Sequence, residues 1–242
     1  MSKSIIKLLG GNPYPGRGII IGCSEDGDRS VIVYFIMGRS VNSRNRIFER
    51  TNDGIRTVAF DPAKLTDPSL VIYHPIREFG ARLIVTNGDQ TDTITNHLRV
   101  DSDFHTALQK REFEPDAPNY TPRISGIVEQ DGRYSLSILK AISGDPDFCQ
   151  RNFYEYSKAK PGLGHFISTY ETDGEPLPSF VGEPVPVGIT DLDGLEAFAL
   201  KIWEALNEEN KVSLYARERD LSTGEVNDLI INRLKGTQYE RN

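Results

Sequence analysis

Residues 124–140 read Ile124-Ser-Gly-Ile-Val-Glu-Gln-Asp131-Gly132-Arg-Tyr-Ser-Leu-Ser-Ile-Leu-Lys140. Two apolar runs flank Asp131-Gly132, a pair that supplies the positive φ a tight hairpin turn needs. The spacing predicts strands over residues 124–130 and 133–140. Upstream, residues 18–22 and 31–37 flank the polar turn Ser24-Glu-Asp-Gly-Asp-Arg-Ser30 and predict a second hairpin. Short apolar runs at residues 55–60, 70–73 and 82–86 predict further strands. The first of these stops at Asp61-Pro62, because proline donates no ladder bond. Residues 148–157 fit neither period.

Helical spacing is rarer. It predicts a helix over residues 98–112, with Phe104, Ala107, Leu108 and Arg111 on one face. A stronger pattern over 192–206 aligns Leu192, Leu195, Phe198, Ala199, Ile202, Trp203 and Leu206, opened by the capping-box pair Asp193 and Glu196. A third helix is expected over 223–234, with Ser222 and Glu225 at capping-box spacing and Val226, Leu229, Ile230 and Leu234 as its apolar face. Glycines and prolines across residues 174–188 indicate a long surface loop. Many strands followed by segregated helices give an α+β fold, taken as one domain over residues 1–242.

The chain has 242 residues, of which 38% are hydrophobic, enough for one sizeable core. Its 28 Lys and Arg against 35 Asp and Glu give a net charge of −7, which argues against a general nucleic-acid or membrane-surface binder. No apolar run approaches bilayer length, and the first residues are too interrupted for a signal peptide, so a cytoplasmic protein is expected. Two cysteines build no disulfide framework or metal cluster, and the histidines His74, His97, His105 and His165 lack zinc-ligand spacing. No metal or cofactor is expected. No nucleophile elbow, phosphate-binding P-loop or H-E-x-x-H motif is present.

Four segments carry candidate chemistry. Residues 38–50 hold Arg39, Arg44, Arg46 and Arg50 against Glu49, a basic island in an acidic chain. Arginine forks suit phosphate; the same composition also fits a solvated basic loop. Residues 85–94, with Asn87-Gly88, Thr91 and Asp92, present hydroxyls and backbone N–H groups after a strand. They equally fit a plain turn with Asp92 as helix N-cap. In Thr121-Pro-Arg123, Pro122 keeps Thr121 extended and leaves Arg123 near a strand end, for a site or for a structural ion pair. Residues 165–171 gather Ser168, Thr169 and Tyr170 at the end of a short strand.

Taken in order, Gly38-Arg-Ser40 with Arg44, Tyr73 with Ile76-Arg77, Thr86-Asn-Gly88 with Thr91-Asp-Thr-Ile94, Thr121-Pro-Arg123, Ile167-Ser-Thr-Tyr-Glu171 and Leu214-Tyr-Ala-Arg-Glu218 resemble the archaeal-type inosine monophosphate (IMP) cyclohydrolase family. The resemblance implies an N-terminal-nucleophile-hydrolase-like fold, a four-layer αββα sandwich with two stacked antiparallel sheets. It implies closure of 5-formamidoimidazole-4-carboxamide ribonucleotide (FAICAR) to IMP with loss of water. The implied partner is a purine ribonucleotide, with no nucleic acid or membrane, and the implied assembly is a homo-oligomer. Carried over residue by residue, it makes Arg44, Tyr73 and Glu114 the catalytic candidates, with Glu112 and Asp116 competing for the acid position. Arg39, Asn87, Thr91, Asp92, Arg123, Thr169 and Tyr170 become candidates for holding base, ribose and phosphate. The chain departs from the family by extra length before Tyr14, over residues 143–164 and beyond residue 220. It also has no good candidate for the covalent nucleophile of that fold. A related hydrolase or cyclase for another ribonucleotide, and a non-catalytic nucleotide-binding protein, remain the alternatives.

Overall fold

The computed structural model describes residues 2–189 and 194–235. Strand β1 (Arg17–Cys23) and strand β2 (Arg29–Met37) form the first hairpin, and both are buried nearly throughout. Their continuous apolar runs follow from cover on both faces. They lie in a six-stranded sheet with β10 (Leu163–Ser168), β11 (Val185–Gly188), β12 (Lys211–Asp220) and β13 (Val226–Asn232), in the order β11-β10-β1-β2-β12-β13. A seven-stranded sheet runs in chain order through β3 (Arg46–Thr51), β4 (Gly54–Ala59), β5 (Ile76–Phe79), β6 (Arg82–Thr86), β7 (Arg123–Val128), β8 (Tyr134–Ile142) and β9 (Asp145–Tyr156). Neighbouring strands pair antiparallel in both sheets.

Side-chain alternation sorts the core into three seams. On one face of the six-stranded sheet, Ile20, Val33, Phe35 and Leu214 pack against helix α1 (Ile5–Gly10) and against Phe198, Ile202 and Trp203 of helix α5 (Leu195–Ala205). On its other face, Ile19, Ile21, Tyr34 and Tyr215 meet Phe48, Ile76, Val85, Ile124 and Leu136 of the second sheet. Beyond that sheet, Ile84, Ile127 and Leu139 pack under Ile94 and Leu98 of helix α3 (Gln90–Leu98) and Phe104 and Leu108 of helix α4 (Phe104–Gln109). A one-turn helix, α2 (Val41–Arg44), links β2 to β3. The fold is therefore α+β, with two stacked antiparallel sheets between helices, as expected. The sheets pack tightly at Gly126, where a Cβ would stand 2.6 Å from the Ile21 side chain. No helix of the described residues is long and apolar enough to cross a membrane.

Several expectations are corrected. Residues 223–234 contain strand β13, not a helix. Asp220 Oδ1 accepts the Ser222 and Thr223 N–H groups (2.8 and 2.7 Å), and Gly224 turns the chain at φ 78. The apparent helix cap is thus a hairpin turn, and Leu229, Ile230 and Ile231 are buried on both faces of the strand. The helix expected over 98–112 splits, because Asp101 adopts φ 54 and Asp103 caps a new start by accepting the Thr106 N–H. Residues 70–73 form a turn on Pro68, although the Tyr73 carbonyl still accepts the Thr57 N–H (2.8 Å). The basic island is not a loop: it holds α2, capped by Ser40 and Ser43, and the start of β3. Residues 148–157 lie almost wholly in the edge strand β9, and the loop over 174–188 ends in β11. Asp92 sits inside α3, whose N-cap is Asp89. Leu192 and Asp193 lie outside the described residues.

The Asn232 side chain ties the edge strands β13 and β3 across the sandwich, beside the Arg50–Asp228 ion pair (2.5 Å). Asn232 Oδ1 accepts the Phe48 N–H (2.8 Å) and the Ser213 hydroxyl (2.6 Å), while Nδ2 donates to the Phe48 carbonyl (3.0 Å). Asn232→Ala strands these buried groups and should cost about 2–4 kcal/mol of stability in urea denaturation. A loss below about 0.5 kcal/mol would refute the tie.

Candidate active site

Arg17 stands at the start of β1, where the chain enters the six-stranded sheet. Its backbone is zipped to residues 168–170: the Arg17 N–H donates to Thr169 Oγ1 (3.1 Å), and the Thr169 N–H donates to the Arg17 carbonyl (2.9 Å). Thr169 Oγ1 also donates to the Pro15 carbonyl (3.3 Å), so this hydroxyl is engaged with backbone. Next in line, Tyr170 stacks on Tyr14 with ring centroids 5.9 Å apart and is 2% exposed.

From the other sheet, Arg46 opens β3 and is fully buried. Its Nε donates to the Ser43 carbonyl (2.8 Å), and its two terminal nitrogens have no hydrogen-bond partner among the described residues. Burial pushes its pKa down, while Tyr73 and Tyr34 support its charge and Arg17 opposes it. The Tyr73 and Tyr34 hydroxyls lie 3.0 Å apart. Tyr73 is anchored through its backbone N–H on Thr57 Oγ1 (2.8 Å).

Glu114 meets this group from the segment ahead of β7. Its N–H donates to the Thr121 carbonyl (2.8 Å), and its carboxyl is 1% exposed. Asn87 Nδ2 reaches Oε1 at 3.4 Å, and the Arg17 guanidinium stands 4.0 Å from Oε2. Burial pushes the Glu114 pKa up; Arg17 and Arg123 pull it down without winning, and it settles at about 7. Behind Glu114, Gly88 lets the chain pass close, since a Cβ there would stand 2.5 Å from the Arg123 guanidinium. A cavity of about 320 Å³ is lined by Tyr14, Arg17, Arg39, Glu114, Asp116 and Tyr170 among others, while Arg46, Tyr73 and Tyr34 are buried outside its lining. A buried acid that titrates near neutrality, beside guanidinium groups with unused donors, can move a proton and stabilise developing negative charge.

The structure gathers some of the expected residues and scatters others. Arg39, Glu114 and Tyr170 line the cavity, with Arg39 at its rim, 5.3 Å over the Tyr14 ring and paired with Asp173 (2.7 Å). Asn87, Thr91 and Arg123 form a buried wall behind Glu114. Asn87 bonds the backbone at Pro122 and Ile124 (2.9 and 2.8 Å), Thr91 bonds Thr86 (2.6 Å), and Arg123 bonds Gln90 (2.7 Å) and Asp89 (2.8 Å). Asp92 faces outward and holds Arg77 (2.8 Å). Arg44 bonds the Gly38 carbonyl (2.9 Å) and Asn210 (2.8 Å) and does not line the cavity. Of the competing acids, Glu112 pairs with Arg151 at 3.5 Å on the surface. Sequence reading passed over Arg17 and Tyr34, and held Arg46 only as one of the four arginines of the basic island. The available signal was an arginine abutting an apolar strand, before Ile19 in one case and Ile47 in the other. Among the described residues, no cluster of His, Cys, Asp and Glu is arranged to hold a metal ion.

Residues 14–225 match the family described as IMP cyclohydrolase-like protein. The chain is similar to a protein named IMP cyclohydrolase from Methanococcus aeolicus, at 28% identity over 165 residues, covering 65% of this chain and 74% of that one. A protein of the same name from Methanopyrus kandleri is 29% identical over 161 residues (65% and 75% covered). Another from Halobacterium salinarum is 30% identical over 132 residues (53% and 63% covered).

Glu114 binds its proton more tightly folded, at about 7, than at its ordinary 4.5. Its contribution therefore favours the folded state below about pH 4.5 and is lost as pH rises through about 7. Glu114→Gln should remove a downward stability slope of up to about 1.4 kcal/mol per pH unit across that window. Denaturant midpoints of both proteins at matched pH values measure it; parallel curves would refute the assignment.

Proposed function

This chain belongs to the IMP cyclohydrolase-like protein family, and on that premise we propose that it closes the pyrimidine ring of FAICAR to give IMP, with Glu114 as the proton carrier. The observation that supports this most is Glu114 itself, a buried carboxyl at about 7 between the cavity and the Arg17 guanidinium.

In the proposed reaction, the carboxamide nitrogen is seated against the formyl carbon, and positioning supplies much of the rate. The N–C bond forms, the formyl C=O electron pair moves onto oxygen, and ionised Glu114 takes the departing amide proton. Arg46, whose two terminal nitrogens have no hydrogen-bond partner among the described residues, and the Tyr73 hydroxyl receive the oxyanion. Glu114 then returns its proton to that oxygen. In the second half, ionised Glu114 takes the proton of the former formamido nitrogen and delivers it to the hydroxyl, so that the C=N bond forms as the C–O bond breaks, water leaves and Glu114 ends ionised. Arg46 takes the role that the resemblance assigned to Arg44. Arg17, Arg39 and Tyr170 hold the nucleotide, and Asn87, Thr91, Arg123 and Thr169 support the wall. Asp92 has no part in this reading.

We further read the chain as one cytoplasmic domain of the N-terminal-nucleophile-hydrolase-like class, without covalent catalysis. The stacked sheets between helices are consistent with that reading, and the Ser40 and Ser43 hydroxyls of the cavity lining are engaged with each other in the cap of α2. The long edge strand β9, with Phe148 59% exposed, supports assembly with further copies.

An absorbance assay of IMP formation tests the reaction. Wild type should turn over, with kcat/KM rising through about pH 7. Glu114→Gln should lose roughly 100- to 10,000-fold and that pH dependence. Arg46→Ala should lose roughly 100-fold or more, against a few-fold for Arg44→Ala. Folded wild type that forms no IMP would overturn the reading, and a larger loss in Arg44→Ala would return the role to that residue.

A further inference from the structure

Tyr170 lines the cavity with its hydrogen-bond polarity already decided by two neighbours in the same lining, Thr121 and Asp116. Asp116 Oδ1 accepts the Thr121 N–H (2.6 Å), and Oδ2 lies 2.5 Å from the Thr121 hydroxyl. A carboxylate has no proton to give, so the Thr121 hydroxyl donates to Asp116. Thr121 Oγ1 is also 2.5 Å from Tyr170 Oη. Having committed its only proton, Thr121 accepts there, and the phenol proton belongs to that bond. Tyr170 then turns only lone pairs toward the cavity.

The surroundings keep this order fixed. Thr121 and Tyr170 are both buried, so water cannot exchange the partners freely. Burial raises the Tyr170 pKa and keeps the phenol protonated. The turn that carries Asp116 closes on itself, since the Asp116 carbonyl accepts the Asn119 N–H (3.0 Å) and Tyr120 N–H (3.3 Å). The same segment delivers Glu114, whose N–H is bonded to the Thr121 carbonyl (2.8 Å), so acid and acceptor are held by one piece of backbone.

We propose that Asp116 is a positioning residue for specificity: through Thr121 it fixes Tyr170 Oη as an acceptor, so that the cavity selects a base edge presenting N–H and rejects one presenting a bare ring nitrogen. The inference rests on the cyclohydrolase reading and deepens it. The carboxamide of the open-ring substrate and the lactam of the inosine ring both offer N–H; the adenine ring offers a lone pair at the same edge. Two opposed acceptors leave both unpaired, and a site built for a donor discriminates strongly against a ligand that lacks it.

Asp116→Asn tests this with a sign. Its carbonyl must stay on the Thr121 N–H, which turns its NH₂ group toward Thr121 Oγ1. The relay reverses: Thr121 then donates to Tyr170, and Tyr170 donates into the cavity. Calorimetric titration with inosine and adenosine 5′-monophosphates should show wild type preferring the inosine nucleotide by about tenfold or more. Asp116→Asn should move the ratio at least about tenfold toward the adenosine nucleotide. Thr121→Ser should keep the wild-type ratio, and Thr121→Val should bring it near one by freeing the phenol to rotate. A residue that serves only structure weakens both nucleotides together. An unchanged ratio in Asp116→Asn, or in Thr121→Val if Asp116→Asn does not fold, overturns the proposal. Wild type that forms IMP yet shows no preference overturns it alone, whereas wild type that neither forms IMP nor binds either nucleotide overturns the cyclohydrolase reading as well.

Discussion

Arg17 and Arg46 are buried at one end of the sandwich, and Glu114 is the buried carboxyl beside them, 4.0 Å from the Arg17 guanidinium. Removing a charged group from water costs several kcal/mol even after relaxation. Arg46 recovers one hydrogen bond through Nε and leaves its terminal nitrogens without a hydrogen-bond partner among the described residues. A fold keeps such a group when a ligand completes it. The same setting governs the chemistry of Glu114: burial drives the carboxyl toward its neutral form, and the guanidinium groups stop the drift near neutrality. A less buried acid would be permanently ionised, and one without arginines would stay permanently protonated.

The sandwich is the device that brings these groups together. Arg17 and Arg46 each stand at the first position of a strand, one in each sheet, and Asn87 and Gly88 follow directly on the end of β6. Thr121 and Glu114 precede β7, which pairs with β6, so the wall behind the carboxyl is fixed by a strand register. Strand ends combine a rigid anchor with side chains free to converge, which is why the apolar seams between the layers can be regular while the site at their edge is polar. Asn232 reinforces the geometry by tying β13 to β3, the strand that carries Arg46.

Much of this was legible from the chain. The hairpins at residues 18–37 and 124–140, the helix around Phe198 and Trp203, and the α+β class followed from alternation, turn residues and spacing, while the stacking of two antiparallel sheets came from the family resemblance alone. The failures have physical causes. Val226, Leu229 and Ile230 fit a helical period, but Asp220 and Gly224 build a hairpin turn and both faces of the resulting strand find cover. The basic island looked solvated because a charge run usually is; the one local signal, Arg46 abutting the apolar pair Ile47 and Phe48, was outweighed, and Arg44, two residues earlier, bonds the Gly38 carbonyl and Asn210 near the surface. Among the acids, Glu114 is the one the fold buries, whereas Glu112 pairs with Arg151 on the surface and Asp116 bonds Thr121, a difference set by distant parts of the chain.

The central claim is that Glu114 carries a proton at neutral pH in the cavity where the nucleotide binds. Carbon-13 NMR of side-chain-labelled glutamate, titrated from pH 4 to 9 with and without IMP, tests it directly. One carboxyl resonance should titrate at about 7, shift when IMP is added, and vanish in Glu114→Gln. Glutamates that all titrate in the ordinary range near 4.5, or a neutral-pH resonance indifferent to IMP, would contradict it.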